Sequence, residues 1–238
     1  MTAEKGQAMS DYVIRPIAHI ESDFPEKFGI PRQAGIAEAC QARLIFEEGF
    51  RDPEALRGIE GFSHLWLIWQ FSENLRQDFS PTVRPPRLGG NRRMGVFATR
   101  SPFRPNALGL SCVRLLRLEK TADRGVTLIV GGADLMDGTP VFDIKPYIPY
   151  ADAHPDALGG FAPDSGEKLT VGFLRGQEEK IPPDKLKALR QVLENDPRPR
   201  YQSDPERVYG MGFAGFEVKF RVSGEELTVT EVRRLPPV

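Results

Sequence analysis

The residues best suited to binding an anion are concentrated in one stretch of the sequence, from Pro81 to Leu118. This stretch contains eight arginines and no aspartate, glutamate or lysine. A guanidinium group is planar and donates hydrogen bonds in pairs, so it favours phosphate or carboxylate ligands and stacks on bases. Because the whole chain has a net charge of only −1, this local basic field indicates a specific anionic ligand rather than general affinity for nucleic acid.

The first loop of this stretch is Arg84-Pro-Pro-Arg87-Leu-Gly-Gly-Asn91, which continues into Arg92 and Arg93. Its two prolines stiffen the backbone, and its two glycines allow a ligand to approach closely. A solvated basic loop is the alternative interpretation. The complete absence of acidic residues favours a binding role.

The second loop spans residues 98–106 and directly follows a predicted strand. It combines hydroxyl groups, an aromatic ring, an amide and the guanidinium groups of Arg100 and Arg104. These are the groups that a nucleoside or phosphate site uses. A turn held by Asn106 and two prolines explains the same residues equally well.

Two further segments carry polar groups that fit a small ligand. Pro31-Arg32-Gln33 joins a rigid residue, a cation and an amide, although the residue types alone favour a solvated loop. Asp134 and Asp137 follow the end of a predicted strand. Their carboxylates could accept hydrogen bonds from ribose hydroxyls or favour a cation such as a sulfonium. An Asp-Gly turn is the alternative.

The segment Asp196-Pro-Arg198-Pro-Arg200-Tyr201 follows a predicted helix near the C-terminus. Its arginines and tyrosine could grip RNA from a proline-stiffened loop. A simple helix stop is an equally good interpretation.

Several classes of site are excluded or unsupported by the residue types. Cys40 and Cys112 are the only cysteines, which is too few for a disulfide framework and suggests a reducing cytoplasm. No spacing indicates a metal site or a Ser–His–Asp or Cys–His group, and no apolar run approaches the length of a membrane span. Residues 1–11 are polar and are expected to be a disordered lead rather than a signal peptide.

Short strands dominate the predicted elements of the first 150 residues. We expect strands over Tyr12 to Ile20, Arg43 to Phe46, His64 to Phe71, Gly95 to Thr99 and Leu110 to Leu118. Two more are expected over 126–133 and 141–147, whereas 81–91 should be irregular. Asp52 should cap one or two helical turns that begin at Pro53. Strands without long intervening helices favour a mainly β fold, closed as a barrel.

A smaller unit is predicted after the Pro- and Gly-rich segment 153–168. It should contain a strand over 169–174, a helix over 182–195 and a hairpin of Gly215 to Val222 with Glu226 to Arg234. We therefore expect a β-barrel domain over residues 12–152 and a small α+β appendage over residues 169–238.

Together the motifs closely resemble the TsaA-like family, densely from Tyr12 to Pro149 and again over 196–201. The resemblance rests on segments 27–33, 61–66, 84–91, 94–101, 103–106, 137–140 and 143–147. The sequence departs from the family pattern at Ala107, where proline is expected.

Bacterial members of that family are tRNA (adenine-N6)-methyltransferases acting on N6-threonylcarbamoyladenosine beside the anticodon. The resemblance implies the same activity, with threonine tRNA expected, a single-sheet β-barrel, S-adenosylmethionine as cofactor and a homodimer. The cofactor residues that it implies are Pro31, Arg32, Gln33, His64, Leu65, Arg100, Leu110, Asp134, Leu135, Met136 and Asp137. The tRNA-binding residues that it implies are Arg84, Arg87, Arg92, Arg93, Arg104, Lys145, Tyr147, Arg198, Arg200 and Tyr201.

No general base stands out from the sequence, and His64 and Asp137 are the candidates. His64 is also expected as an ordinary core residue. The rival interpretation of the chain is a non-catalytic RNA- or nucleotide-binding β-barrel. A phosphate-ester hydrolase would need clustered metal ligands, which the sequence does not offer.

Overall fold

The structure is a computed structural model that describes residues 12–74, 80–164, 166–199 and 204–236. It is mainly β, as the sequence predicts. The strands are β1 (Ala18–Ser22), β2 (Gln41–Phe46), β3 (His64–Gln70), β4 (Thr82–Val83), β5 (Met94–Gly95), β6 (Leu108–Thr121), β7 (Gly125–Gly131), β8 (Pro140–Pro146), β9 (Thr170–Phe173), β10 (Tyr209–Phe213), β11 (Phe216–Ser223) and β12 (Glu226–Arg234). The helices are α1 (Pro149–Asp152) and α2 (Pro183–Glu194).

Six strands form the first sheet, in the order β1-β2-β7-β6-β3-β8, and every neighbouring pair is antiparallel. The order closes on itself, because Ala18 of β1 pairs with Val141 of β8. Alternate residues of each strand point to one face. In β3 the buried set is Leu65, Leu67 and Trp69. These side chains join the inward residues of the other strands in one apolar core.

The second sheet has the order β10-β11-β12-β9, with β9 parallel to β12 and the other pairs antiparallel. The predicted hairpin of β11 and β12 is confirmed. Its turn contains Gly224 at φ 60°, a left-handed conformation that glycine adopts without steric cost. The apolar side of α2, with Leu189 and Leu193 fully buried, packs in the core of this sheet.

The loop between β1 and β2 joins the two sheets. Phe24, Ala37 and Cys40 come from this loop, yet they belong to the core of the second sheet. Burial raises the pKa of the Cys40 thiol to about 12, so this sulfur is an inert core atom. The β1–β2 loop therefore supplies part of the packing that stabilises the second sheet.

Two predicted strands differ from the structure. β1 begins at Ala18 rather than at Tyr12, because its ladders with β2 and with β8 both begin at Ala18. The strand expected over Gly95 to Thr99 is wrong. Val96–Ala98 is a 3₁₀ turn, and only Val96 of that turn is buried.

The predicted irregular segment 81–91 contains one short regular pairing. Thr82 and Val83 pair with Gly95 and Met94 as a two-stranded ribbon. The prolines on either side of this pair lack an N–H group, which limits the ribbon to two residues a strand. The predicted helical turn after Asp52 is confirmed as a 3₁₀ turn over Pro53–Leu56, with the Asp52 carboxylate accepting from the Glu54 N–H at 2.9 Å.

Neither helix in the described ranges has the length and apolar character needed to cross a bilayer.

Candidate active site

A cavity of about 540 Å³ opens where β3 ends and β6 begins. Its wall comes from the β1–β2 loop, the end of β3 with the turn after it, the loop before β6, and the β7–β8 connection. The wall includes apolar side chains such as Ile30, Trp69, Phe71 and Leu108. Cationic and acidic groups line the same space, so the cavity combines an apolar body with a few polar groups, as ligand sites do.

Arg32, Gln33 and Arg100 form a hydrogen-bonded line along one side of the cavity. A guanidinium N–H of Arg100 donates to the Gln33 side-chain oxygen, and the Gln33 amide donates to the Arg32 carbonyl. The guanidinium of Arg32 then donates to the carbonyl oxygens of Asp196 and Arg198, at 2.9 and 2.7 Å. This line ties the cavity wall to the loop that follows α2.

Asp134 is held by a chain of donors that begins in the core. The Trp69 indole N–H donates to Ser111 Oγ at 2.9 Å, and the Ser111 hydroxyl donates to Asp134 Oδ1 at 2.6 Å. Burial raises the pKa of Asp134. The hydrogen bond from Ser111, backbone amides and the charge of Arg100 act in the opposite direction, because each favours the ionised form.

The arginines of the 81–118 stretch that are predicted to bind tRNA differ in their surroundings. Arg84, Arg92 and Arg93 are exposed. Arg104 lines the cavity and donates to the Thr99 carbonyl at 2.7 Å. Arg87 is paired with Asp164 at 2.7 Å. Only part of the arginine-rich stretch therefore faces the cavity.

The remaining residues predicted for tRNA lie on β8, after it, or in the loop after α2. Lys145 pairs with Asp143 at 2.9 Å, and the Tyr147 ring lies 5.9 Å from that of Trp66. Arg198 is paired with Asp196, and this hydrogen bond raises the pKa of its guanidinium. Arg200 and Tyr201 lie outside the described residues.

Comparison with known families assigns both parts of the chain. Residues 19–153 match the tRNA-methyltransferase O N-terminal domain, and residues 168–235 match the TrmO C-terminal domain. The chain belongs to the TrmO family. The family assignment agrees with the resemblance to TsaA-like proteins that the motifs indicate.

Two curated relatives and one solved structure show how far the TrmO likeness extends. A tRNA (adenine(37)-N6)-methyltransferase of Escherichia coli is 41% identical, over 94% of this chain and 100% of its own length. One from Eikenella corrodens is 51% identical, over 68% of this chain and 91% of its own length. The crystal structure of TrmO from Pseudomonas aeruginosa superposes with a TM-score of 0.77 at 34% identity, covering 94% of this chain and 100% of that one.

The cofactor residues that the resemblance implies for the TrmO family divide into two groups. The first group lines the cavity, namely Pro31, Arg32, Gln33, Arg100, Leu110, Asp134 and Met136. The second group does not line it, namely His64, Leu65, Leu135 and Asp137.

Each member of the second group has a visible structural role. Leu65 and Leu135 are buried in the core of the first sheet. Asp137 is exposed and accepts from the Ser22 N–H at 2.9 Å. His64 begins β3 and does not line the cavity, whereas Trp66, two residues further along the same face of the strand, does. Its Nδ1 lies 2.9 Å from the Ser63 hydroxyl.

Sequence reasoning missed the cavity residues that directly follow β3. Ser72–Asn74 form a 3₁₀ turn that lines the cavity, and Glu73 brings a second carboxylate to it. Lys27 Nζ donates to the Glu73 carbonyl at 3.0 Å and to Asn74 Oδ1 at 3.2 Å. A polar run directly after a buried strand is the only signal that could have indicated this turn.

The backbone conformation at Ala107, where the sequence departs from the TrmO-family pattern, excludes the expected proline. Ala107 has φ 45°, in the left-handed region, whereas proline fixes φ near −65°. The backbone of this chain at position 107 is thus one that proline cannot adopt.

Within the ranges that the structure describes, no group of three or more His, Cys, Asp or Glu side chains is arranged to hold a metal ion.

Proposed function

We propose that this cavity binds S-adenosylmethionine and that the chain transfers the methyl group to N6 of threonylcarbamoyladenosine in the anticodon loop of tRNA. Membership of the TrmO family supports methylation of tRNA, and the E. coli and Eikenella relatives are named for position 37 and N6. The observation that carries the proposal is the convergence of Arg32, Arg100 and Asp134 on one cavity. Threonine tRNA is the expected substrate.

The donor set of the cavity fits S-adenosylmethionine. Trp69, Phe71, Leu108 and Leu110 offer apolar surface for its adenine, and the guanidinium groups of the cavity suit its carboxylate. The carboxylate of Glu73 suits its ribose hydroxyls or its ammonium group. When bound, the cofactor supplies a methyl group on a positively charged sulfur, which is a good leaving group.

The contribution of the protein is therefore alignment and charge rather than covalent chemistry. The reaction brings two carboxylates to the site, one on the cofactor and one on the threonyl group of the substrate. In the part of the chain that the structure describes, Arg32, Arg100, Arg104 and Lys27 provide cations in the cavity wall, enough to partner both. The exposed Arg84, Arg92 and Arg93 are suited to the phosphates of the tRNA.

The anticodon loop also needs contacts outside the cavity. We assign these to the loop of residues 84–93 and to the 196–201 segment, whose described part is tied to the cavity wall through Arg32. This tie supports a joint role of the C-terminal unit, residues 169–238, and the cofactor-binding unit, residues 12–152.

The closed order of six strands supports a single-sheet β-barrel for the cofactor-binding unit. A homodimer in the cytoplasm is the further part of the proposal. Phe97, in the 3₁₀ turn after β5, is 73% exposed, and a large exposed apolar side chain suits a surface that a partner covers. Light scattering of the purified protein at micromolar concentration should give twice the chain mass. A single-chain mass would contradict the dimer.

The rival function is a nucleotide- or RNA-binding unit without catalysis. Calorimetry with S-adenosylmethionine, followed by incubation with tRNA and labelled donor, separates the two functions. Saturable binding of the donor and incorporation of label support the enzyme. Binding of tRNA without any binding of the donor would favour the rival.

A further inference from the structure

Among the described residues, two carboxylates line the cavity, and their surroundings differ. Glu73 is exposed in the turn after β3, whereas Asp134 is largely buried beside β6. The hydroxyl that holds Asp134 belongs to Ser111, which is only 2% exposed, and that hydroxyl is fixed in turn by the buried Trp69 indole. Buried polar groups of this kind are costly unless they are satisfied, and here each partner satisfies the next.

The backbone of β6 is shaped to allow this chain of donors. Gly109 pairs with Trp69 across the strands, and a Cβ at position 109 would overlap the six-membered part of the indole. With glycine there, the indole lies flat against the strand and its N–H reaches Ser111, two residues further along. Gly109 thus leaves room for the Trp69 indole. The indole in turn holds the Ser111 hydroxyl that orients Asp134.

The proposed reaction needs a group that accepts the N6 proton, and Asp134 can be that group. The N6 nitrogen of the substrate carries one proton, and its lone pair is delocalised into the purine and the carbamoyl group. Removal of the proton as the new bond forms makes that nitrogen nucleophilic. A base must lie within hydrogen-bond reach of the reacting nitrogen. Neither His64 nor Asp137 lines the cavity.

We propose that Asp134 accepts the N6 proton during methyl transfer and that Ser111 is the positioning residue that fixes its carboxylate. This inference rests on the proposed function. The N6–CH₃ bond forms while the S–CH₃ bond of the donor breaks. The bonding pair stays on sulfur, which becomes neutral, and the N6 proton passes to the Asp134 carboxylate. Charge balances, because one cation and one carboxylate become two neutral groups.

The surroundings of Asp134 suit a base that works near neutral pH. Burial raises the pKa of Asp134, which makes its carboxylate more basic than an exposed one. Arg100 is the charged group that opposes this effect, together with the Ser111 hydroxyl and the amides of Asp134 and Ala34. Of the residues with described positions, Lys27, Arg32, Arg104 and Glu73 are the other charged groups on the cavity wall.

The direction of the pH dependence follows from these contacts. The base works only when ionised, so the methylation rate falls as pH drops through the pKa of Asp134. Removing the Ser111 hydroxyl takes away a bond that favours the ionised form. Ser111→Ala should therefore move the acidic limb of the pH–rate profile to higher pH, and Ser111→Thr should restore much of its position.

The test compares Asp134→Asn, Ser111→Ala and Ser111→Thr with wild type, under single turnover with saturating donor and tRNA. Asparagine keeps an oxygen that accepts from Ser111 but cannot take the proton. Its rate should fall by about 10²–10⁴, the usual contribution of a general base. The affinity for the donor, measured by calorimetry, should change by less than about threefold. Thr127→Val, which removes another buried hydroxyl of the same sheet, should leave the pH profile unchanged.

The outcomes separate this inference from the proposed function. An active wild type whose Asp134→Asn variant keeps its rate and pH profile overturns the base assignment alone. So does a variant that loses donor binding together with activity, because Asp134 is then a binding group. An unshifted profile in Ser111→Ala overturns the positioning role. A wild type that binds the donor but methylates no tRNA overturns the proposed function itself.

Discussion

Lys185 on α2 reaches across to Asp23 in the β1–β2 loop, with its Nζ 2.8 and 2.7 Å from the two carboxylate oxygens. The two side chains are 33% and 16% exposed, so water screens the pair only partly. The same loop inserts Phe24 and Cys40 into the core of the second sheet. This ion pair therefore lies at the join between the two units of the chain.

Breaking this pair should destabilise the protein. We expect Asp23→Asn and Lys185→Met each to lower the free energy of unfolding by about 1–3 kcal/mol, between the values for exposed and buried pairs. In a double-mutant cycle measured by chemical denaturation, the two changes should couple. The more exposed pair Arg233 and Glu217 should couple by less than about 1 kcal/mol. Additive effects at Asp23 and Lys185 would contradict a direct interaction.

The close packing of the Trp69 indole on Gly109 gives a second prediction. Gly109→Ala should cost about 1–3 kcal/mol of stability, because the added methyl group overlaps the indole. The cost should be smaller in a Trp69→Leu background, where the six-membered ring is absent. Gly172, a strand glycine with no atom within 4 Å of an added Cβ, provides the matched control. Thermal unfolding of wild type, the Gly109→Ala and Trp69→Leu variants and their double variant measures the difference. Equal costs of Gly109→Ala in both backgrounds would rule out the overlap.

Arg32 and Arg100 should be required for activity but not for folding. Arg32→Ala and Arg100→Ala remove cations from the cavity wall, so each should lower methylation by at least about 100-fold, a loss typical of a charged group left unpaired at a site. Circular dichroism and the melting temperature should stay close to wild type. Arg175→Ala, an exposed arginine outside the cavity, is the control. Full activity of either variant with saturating cofactor would count against the assignment.

The raised pKa of Asp134 predicts a dependence of stability on pH. A carboxyl whose pKa is higher in the folded state binds its proton more tightly there, so its ionised form costs stability above the usual pKa of aspartate. Asp134→Asn should therefore melt at a higher temperature than wild type at pH 7. The gain should shrink as pH falls toward about 4, the unperturbed aspartate value. An exposed control, Asp156→Asn, should show no such trend. A lower melting temperature at pH 7 would show that the ionised carboxylate is stabilising.

Strong local patterns made much of the fold predictable. The alternation over 215–222 identified β11, and the apolar spacing over 182–195 identified α2. β10 was not predicted, because Gly210 and Gly212 lower the strand propensity of a segment whose partner is β11. Its formation depends on packing in the second core, which no local pattern encodes.

The site was predictable only where residues adjoin in the sequence. The motif around Arg32 and the loop around Arg100 stand out as short segments, and the structure brings both to one cavity. The link from Trp69 through Ser111 to Asp134 spans sequence separations of 42 and 23 residues. The pairing of β3 with β6 brings Trp69 to Ser111. The pairing of β6 with β7 brings the segment after β7, which contains Asp134, to the same place. Before the fold is known, Trp69 is simply a core residue, and nothing in the sequence connects it with Asp134.

The most direct test of the account is nucleoside mass analysis of tRNA that carries threonylcarbamoyladenosine, after incubation with the purified protein and S-adenosylmethionine bearing a deuterated methyl group. The account predicts that the label appears on N6 of that nucleoside, and that Arg100→Ala abolishes it. Label on another atom or another nucleoside, or no label with a protein that binds the donor, would contradict it.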